Sequence, residues 1–501
     1  MNLLSDNDMD LRTLFDGFGV KVPQREVADI TTESLSVTRG GLFLACRGSR
    51  HHGLEFVDQV LAVQPSAIAW EPDAGVREPV LPPEVCGFAV PDLGDRLGEI
   101  ANRFFAAPSA ALAVIGITGT NGKTTTAWLV TQALGKLGEP AGYMGTLGHG
   151  LGTAVRPGAS TTPGCITLHR QLRELADAGA RHAVIEVSSH ALDQHRVDGV
   201  RFSTVAFSNL GRDHLDYHHD LQQYGEAKAR LFRTGARTAV INLDDSFGGM
   251  LPALLPDGTA CLGVSMIGNP AARLRGELVQ IGADGLLLEL SGEHGVARLE
   301  SGLWGRFNAE NLLLAAGILL AAGWPLARVA AALTDCTAPP GRMQRVPGSA
   351  GQPAVLVDFA HTAEALAKAL QAARAHCRGR LWCGFGCGGN RDSGKRAPMG
   401  RAAVEFADHV IVTDDNPRDE DSRQIIADIL AGMDSRDTVQ VIPDRAAAIQ
   451  RAIHSAASDD VILIAGKGHE QTQTVAGVSR PFSDLAVAAA ALSGAQQGQG
   501  A

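Results

Sequence analysis

Gly119, Asn121 and Gly122, followed by Lys123 and the threonines Thr124, Thr125 and Thr126, have the types and spacing of a phosphate clamp. Glycines let backbone N–H groups turn toward an anion at the start of the next helix. The Lys123 ammonium then supplies a point charge to β/γ phosphates, and the Thr124 hydroxyl suits Mg²⁺. One detail departs from the common pattern. Glycine is wanted five residues before Gly122, but Ile117 stands there, with Gly116 too far away and Gly119 too close. A tight strand–helix turn would account for the glycines, but not for Lys-Thr-Thr-Thr after them.

Two further groups could hold a metal. Glu186 ends the apolar run "HAVIE", where a carboxylate resembles the metal-holding acid of a P-loop enzyme. "SNLGRDHLDYHHD" follows the next apolar run and carries Asp213, His214, Asp216, His218 and His219. His214 lies nearest the run's end and is favoured among the histidines. Lys228, in "YGEAKARLF", reads from residue type alone as an ordinary surface lysine. Cys383 and Cys387 form a CxxxC without a second ligand pair, too few for a zinc site.

These residues need strands that end beside one another. The apolar run "ALAVI" leads into the glycine loop; "HAVIEVSS", "STVAFSN" and "TAVINLD" are short, β-rich and end in polar residues; "AVLVDFA", "RLWCGFG", "HVIVTDD" and "VILIAGKG" repeat the pattern later. Such runs lack two-residue polarity, so they predict parallel sheets covered on both faces. Ligands then bind at the strands' carboxyl ends. At 501 residues the chain predicts about three α/β domains. Boundaries fall at a small N-terminal α/β domain (1–107), a central P-loop parallel-sheet domain (108–337) and a C-terminal Rossmann-like parallel-sheet domain (338–501). A proline-rich linker near residue 340 marks the last boundary.

The formal charge of −10 argues against a nucleic-acid partner. "NLLLAAGILLAAGWPLA" is shorter than the roughly 20 residues of a membrane span and is broken by Gly317, Gly323 and Pro325, so a buried helix is expected. The start of the chain lacks a signal peptide's apolar core, and eight scattered cysteines make no disulfide framework. A reduced, cytoplasmic protein is expected, with a disordered tail "SGAQQGQGA".

"TGTNGKTT", "STTPG", "EVSSHALDQHR", "NLGRDHLDYH", "YGEAK", "GRFNAENLLLA", "GRM", "DFAHT", "FGCGGNRDSGKR", "DDNPR", "GKGHE" and "FSD" follow one another in the order seen in the Mur ligases, which this chain resembles over about residues 30–485. The family's own loop has the GTNGKT spacing. The resemblance implies an ATP-dependent amide ligase, acting as a monomer on small molecules with Mg²⁺. ATP phosphorylates the γ-carboxylate of a D-glutamyl residue in a UDP-muramoyl dipeptide; an amino acid's amine then displaces phosphate.

It also implies roles for particular residues. Gly119 to Thr125, with Thr120 and Asn121 among them, bind ATP, as do Asn308, Asn311, Arg342, Asp358 and His361. Thr124 holds one Mg²⁺, while Glu186, His214 and a carbamylated Lys228 hold a second metal, a carbamate turning the lysine into an oxygen ligand. Lys123, Glu186, His214 and Lys228 form the catalytic set. Ser34, Thr161, Thr162, Ser188, Gln194 and Arg196 contact the UDP substrate.

Three loops after strands of the last domain bring Arg391; Asp415, Asn416, Pro417 and Arg418; and Gly466 through Glu470 to one sheet edge. Two guanidinium forks and two carboxylates suit a ligand with two carboxylates and two ammonium groups. "DNPR" resembles the signature of the members that add meso-diaminopimelate. Five motifs depart from the family pattern: Glu33-Ser34-Leu35 replaces "DSR", His52 replaces Asp in "DG", Gln344 replaces Glu after "GRM", "DFAHTAE" replaces "DYAHTPD", and Asn390 replaces Asp in "GGNRD". A folylpolyglutamate synthetase shares the P-loop but has no need of "DNPR". A P-loop ATPase or kinase would work without an amino acid.

Overall fold

The structure, a computed structural model, describes residues 8–497 apart from Ser49 and Ala74. Residues 1–7 and the low-complexity tail beyond 497 lie outside the described residues. Contacts divide the chain into two compact units. The first holds residues up to Lys123, Gly138–Ile241 and Phe247–Cys261; the second holds Thr124–Leu137, Asn242–Ser246 and residues from Leu262 on. In the helix Lys123–Lys136, Gln132 is tied to Thr337, donating to its carbonyl (2.9 Å) and accepting from its N–H (3.2 Å).

The first unit opens with a parallel sheet of Ile30–Thr31, Leu42–Ala45, Ala67–Trp70 and Cys86–Ala89. Leu42, Leu44, Phe88, Ile100 and Phe104 build its core. A larger sheet places Ala113–Thr118 between His182–Glu186 and Phe202–Phe207, all parallel, with Thr238–Asn242 beyond. The expected strands are therefore present and adjacent. Their carboxyl ends deliver Gly119, Val187 and Ser208 to one edge.

In the second unit, Ala354–Asp358, Val461–Ala465, Leu381–Phe385, His409–Val412 and Val439–Val441 lie parallel in that order, with Gln344–Arg345 antiparallel at one side. Here sheet order differs from chain order, which brings the loops after Asp358, Ala465, Phe385 and Val412 side by side. The unit also contains an antiparallel meander, Leu274–Gly282, Gly285–Gly292 and Gly295–Ser301, that sequence periodicity did not anticipate. The apolar stretch is the buried helix Phe307–Ala321, ended before Gly323 at φ +93°. Among the described residues no helix is long and apolar enough to cross a membrane.

His376 ties parts of the second unit together. Gly305 N–H donates to its Nε2 (2.9 Å), which leaves the proton on Nδ1 to donate to Gly282 O (2.6 Å). The ring stacks on Trp304 at 4.4 Å. Burial lowers its pKa, as it does for His169 in the first unit, whose Nε2 donates to Asp198 O (2.9 Å). Both hold a proton less readily when folded than when unfolded, so unfolding below about pH 6.5, the ordinary histidine value, takes up protons. Their contribution is thus present above that pH and lost as pH falls through it. Urea midpoints are expected to drop between about pH 7.5 and 5.5, and the drop to shrink in His376→Gln. A slope unchanged by that substitution would contradict the assignment.

Candidate functional site

The loop after Ala113–Thr118 explains the odd glycine spacing. Gly119 has φ +149°, and a Cβ there would collide with Ser208 Oγ and crowd Asn209 N at 3.1 Å. The neighbouring strand's loop closes over this residue, so glycine is needed here and Ile117 stays wholly buried in the strand. Thr120 N–H donates to Asn209 O (2.8 Å) and Asn121 N–H to Asn209 Oδ1 (2.9 Å). This corrects one expectation: the Asn121 N–H is committed to holding the loop and is not turned toward an anion. Lys123 Nζ donates to Gly119 O (2.7 Å) and Thr120 O (2.9 Å), arching over the loop.

Glu186 is fully buried at the end of its strand. Its carboxylate accepts from Tyr143 Oη, from Thr146 N–H (3.0 Å) and from Thr146 Oγ1 (3.2 Å). Thr146 in turn meets Thr161 Oγ1 at 3.1 Å. Tyr143 and Thr146 belong to none of the sequence motifs; only the fold brings them to the strand end.

Lys228 is not the surface residue its type suggested. It is 1% exposed, because the short helix Leu221–Ala229 turns that face inward, and its Nζ donates to Gly119 O (2.9 Å). The ammonium sits 4.2 Å above the Tyr224 ring. Burial and the nearby Lys123 push its pKa down to about 6. A neutral amine at pH 7 is the form that can add CO₂. Around Tyr224 gather His218 (5.2 Å) and His214 (6.2 Å), and His190 packs on His214 at 4.8 Å. His214 has φ +54° and half-exposed side-chain atoms. Among the described residues no three His, Cys, Asp or Glu side chains form a ready metal cage.

A cavity of about 530 Å³ in the first unit is lined by Ser34, Leu35, Arg47, Phe56, Gln194 and Arg196, among others. It brings together three of the six residues expected at the UDP substrate. Arg196 donates to Gln194 Oε1 (2.6 Å) and to Thr162 O (2.8 Å). Thr162 is only 1% exposed; its hydroxyl donates to Glu186 O (2.7 Å) and accepts from Ser188 N–H (3.1 Å). Ser188 caps the helix Ser189–Asp193. Thr162 and Ser188 therefore shape this edge from below. His52, where the family has Asp, caps the turn Gly53–Phe56 through Nδ1, which accepts from Leu54 N–H (3.1 Å).

In the second unit, Asp358 accepts from Met343 N–H (2.7 Å) and Ala360 N–H (2.8 Å) and so clasps the linker. Arg342 lies 5.2 Å over the Phe359 ring, with His361 at 4.7 Å and His469 at 5.5 Å from it. Asn308 and Asn311 are buried: Asn308 Nδ2 donates to Trp304 O (2.7 Å) and Asn311 Nδ2 to Asn308 Oδ1 (2.9 Å).

The loops carrying Arg391 and Arg418 do meet. A Cβ on Gly388 would stand 3.1 Å from Arg418 Nη1 and 3.8 Å from Arg391 Cγ. Arg418 has φ +54° and donates to Gly389 O (2.6 Å). Asn390 adopts φ +51°, which asparagine tolerates, and its N–H donates to Glu420 (2.9 Å). The 1%-exposed Arg396 grips the same Glu420, holding its carboxyl down at about 2. The arginine loops are thus braced against each other. Asp415 is buried beneath Gly466, whose φ of +116° calls for glycine and where a Cβ would stand only 2.6 Å from Asp415 Oδ2. Burial raises the Asp415 pKa.

Under the same edge Arg445 and Asp484 form a wholly buried bidentate pair (2.7 and 2.7 Å), and Arg445 also donates to Ala465 O (3.0 Å). Asp484→Ala is expected to cost about 3–5 kcal/mol, because it strands a buried guanidinium. Urea unfolding checks this, and a loss under about 1 kcal/mol would contradict it.

The chain is similar to known proteins in sequence and fold. A family model described as Mur ligase middle domain covers residues 117–319, and one described as Mur ligase, glutamate ligase domain, covers 341–468. A protein of Alkalilimnicola ehrlichii named UDP-N-acetylmuramoyl-L-alanyl-D-glutamate--2,6-diaminopimelate ligase is 47% identical over 92% of this chain and 93% of its own length. A solved structure of a protein with that name is 32% identical, with a TM-score of 0.75 over 98% of this chain and 99% of its own. A MurF ligase from Thermotoga maritima, solved in complex with ADP, shares the fold at 17% identity, with a TM-score of 0.59 over 88% of this chain and 94% of its own.

Proposed function

Because this chain belongs to the Mur ligase family, we propose that it joins meso-diaminopimelate to the γ-carboxyl of D-glutamate in UDP-N-acetylmuramoyl-L-alanyl-D-glutamate, converting ATP to ADP and phosphate. It does so as a monomer in the cytoplasm, in peptidoglycan-precursor synthesis, without nucleic acid or membrane insertion. The domain limits proposed are residues 107 and 337.

The carboxylate of the substrate's glutamyl residue attacks the γ-phosphorus and ADP leaves. The amine of the incoming amino acid then attacks the acyl carbon, loses a proton, and expels phosphate. Neither step needs a protein nucleophile; the protein aligns reactants and answers developing charge. Lys123 faces the phosphates. Thr124 would hold one Mg²⁺, and Glu186, His214 and a carbamylated Lys228 a second metal; such ions would neutralise charge on the transferring phosphoryl group. Arg342, Phe359 and His361 offer the nucleotide a flat cationic face. Asn308, Asn311 and Asp358 are the further residues proposed at the nucleotide. Ser34, Gln194 and Arg196 line the cavity for the UDP substrate, with Thr161, Thr162 and Ser188 behind.

The observation that carries the choice of amino acid is the approach of Arg391 and Arg418 to Gly388, with Asn416 and Glu470 beside them. Two guanidinium groups answer two carboxylates, and Glu470 answers an ammonium. The test is mass spectrometry of the product formed from ATP, Mg²⁺, the UDP-dipeptide and meso-diaminopimelate. A product heavier by one diaminopimelyl residue is expected. ADP formed without that product would refute the proposal.

A further inference from the structure

Lys467, in the loop after Val461–Ala465, is 0% exposed. A buried ammonium must spend its donors. Lys467 Nζ donates to Asn416 Oδ1 (3.1 Å) and to Glu470 Oε2 (2.9 Å). Asn416 Oδ1 also accepts from Thr474 N–H (3.0 Å), while Asn416 Nδ2 donates to the same Glu470 Oε2 (2.9 Å).

Two consequences follow from this closed triangle. Two donors face Asn416 Oδ1, so its amide can sit only one way round. Glu470 is gripped by one oxygen alone: Oε1 has no hydrogen-bond partner among the described residues, and the side chain keeps 37% of its surface exposed. One carboxylate oxygen is clamped and the other presented. Lys467 itself, wholly buried, cannot touch a ligand.

Resting on the amino-acid site proposed above, we infer that Lys467 is a positioning residue, which clamps Glu470 Oε2 and the Asn416 amide so that Glu470 Oε1 meets an ammonium group of the incoming diamino acid. The apolar isostere Lys467→Met frees Glu470 to rotate while leaving the arginine loops in place.

The experiment is a double-mutant cycle on the full chain with ATP, Mg²⁺ and the UDP-dipeptide, using wild type, Lys467→Met, Glu470→Ala and the double variant. Lys467→Met is expected to raise KM for meso-diaminopimelate roughly 10- to 100-fold, the range for a hydrogen bond to a charged group, with KM for ATP changed less than about twofold. In the Glu470→Ala background the same substitution is expected to change KM less than about twofold. A wild-type KM in Lys467→Met, or an equal rise in both backgrounds, overturns the inference. Should Lys467→Met lose the wild-type circular dichroism spectrum, Lys467→Gln goes through the same cycle under the same two criteria. A wild-type chain that ignores diaminopimelate overturns the ligase proposal, and this inference falls with it.

Discussion

Alanine in place of Lys123 is expected to lower kcat/KM for ATP by about 10³-fold or more, the scale on which a cation facing a transferring phosphoryl group acts. In the structure Lys123 Nζ rests on the carbonyl oxygens of Gly119 and Thr120, so it is held over the loop where phosphate would sit. No other lysine or arginine of the motif can replace it: Lys228 Nζ is committed to Gly119 O from the buried side. The substitution acts a second time through Lys228. The Lys123 charge is one cause of the lowered Lys228 pKa, so removing it lets that pKa rise and shrinks the neutral fraction at pH 7. The fold should survive, since Lys123 is only half-buried. Steady-state kinetics with a urea-unfolding control checks this. Activity within tenfold of wild type would refute the phosphate role.

Arg418→Ala is expected to cost about 2–5 kcal/mol of amino-acid binding, a rise in KM for diaminopimelate of thirtyfold or more, with KM for ATP nearly unchanged. The backbone of Arg418 is pinned by its N–H donating to Thr474 O (3.0 Å) and its guanidinium by Gly389 O (2.6 Å), so its fork is aimed before ligand arrives. Pre-aimed donors lose little entropy on binding. With the guanidinium gone, a carboxylate of the ligand enters a braced site and finds no partner. Arg418→Lys should recover only part of the loss, because an ammonium offers no bidentate fork. Unchanged affinity for diaminopimelate would refute the role.

Much of this was legible in the sequence because it is local. Gly-Lys-Thr after an apolar strand, carboxylates and arginines at strand ends, and a buried helix broken by glycine are patterns within a dozen residues. What was illegible depends on residues far apart in the chain. Lys228 looks like a surface lysine until Tyr224 and Gly119 close on it. Arg445 and Asp484 stand 39 positions apart, and nothing in either neighbourhood announces a buried pair. The Asn121 N–H looked free for phosphate, but the loop after the neighbouring strand captures it. Two of the departures from the family pattern have a structural sense visible only in three dimensions: His52 caps a turn as an aspartate would, and Asn390 accepts a left-handed backbone. The meander over residues 274–301 is hard to see in the sequence because its hairpin turns, "ADG" and "GEHG", are not flanked by clean two-residue alternation.

ADP release with the UDP-dipeptide present, measured with meso-diaminopimelate, with lysine and with no amino acid, tests the central claim most directly. Diaminopimelate is expected to drive release and lysine to do so far less, because lysine has no far carboxylate for Arg391 and Arg418 and leaves them unpaired. Release that ignores the amino acid, or that lysine supports as well as diaminopimelate, would contradict the account.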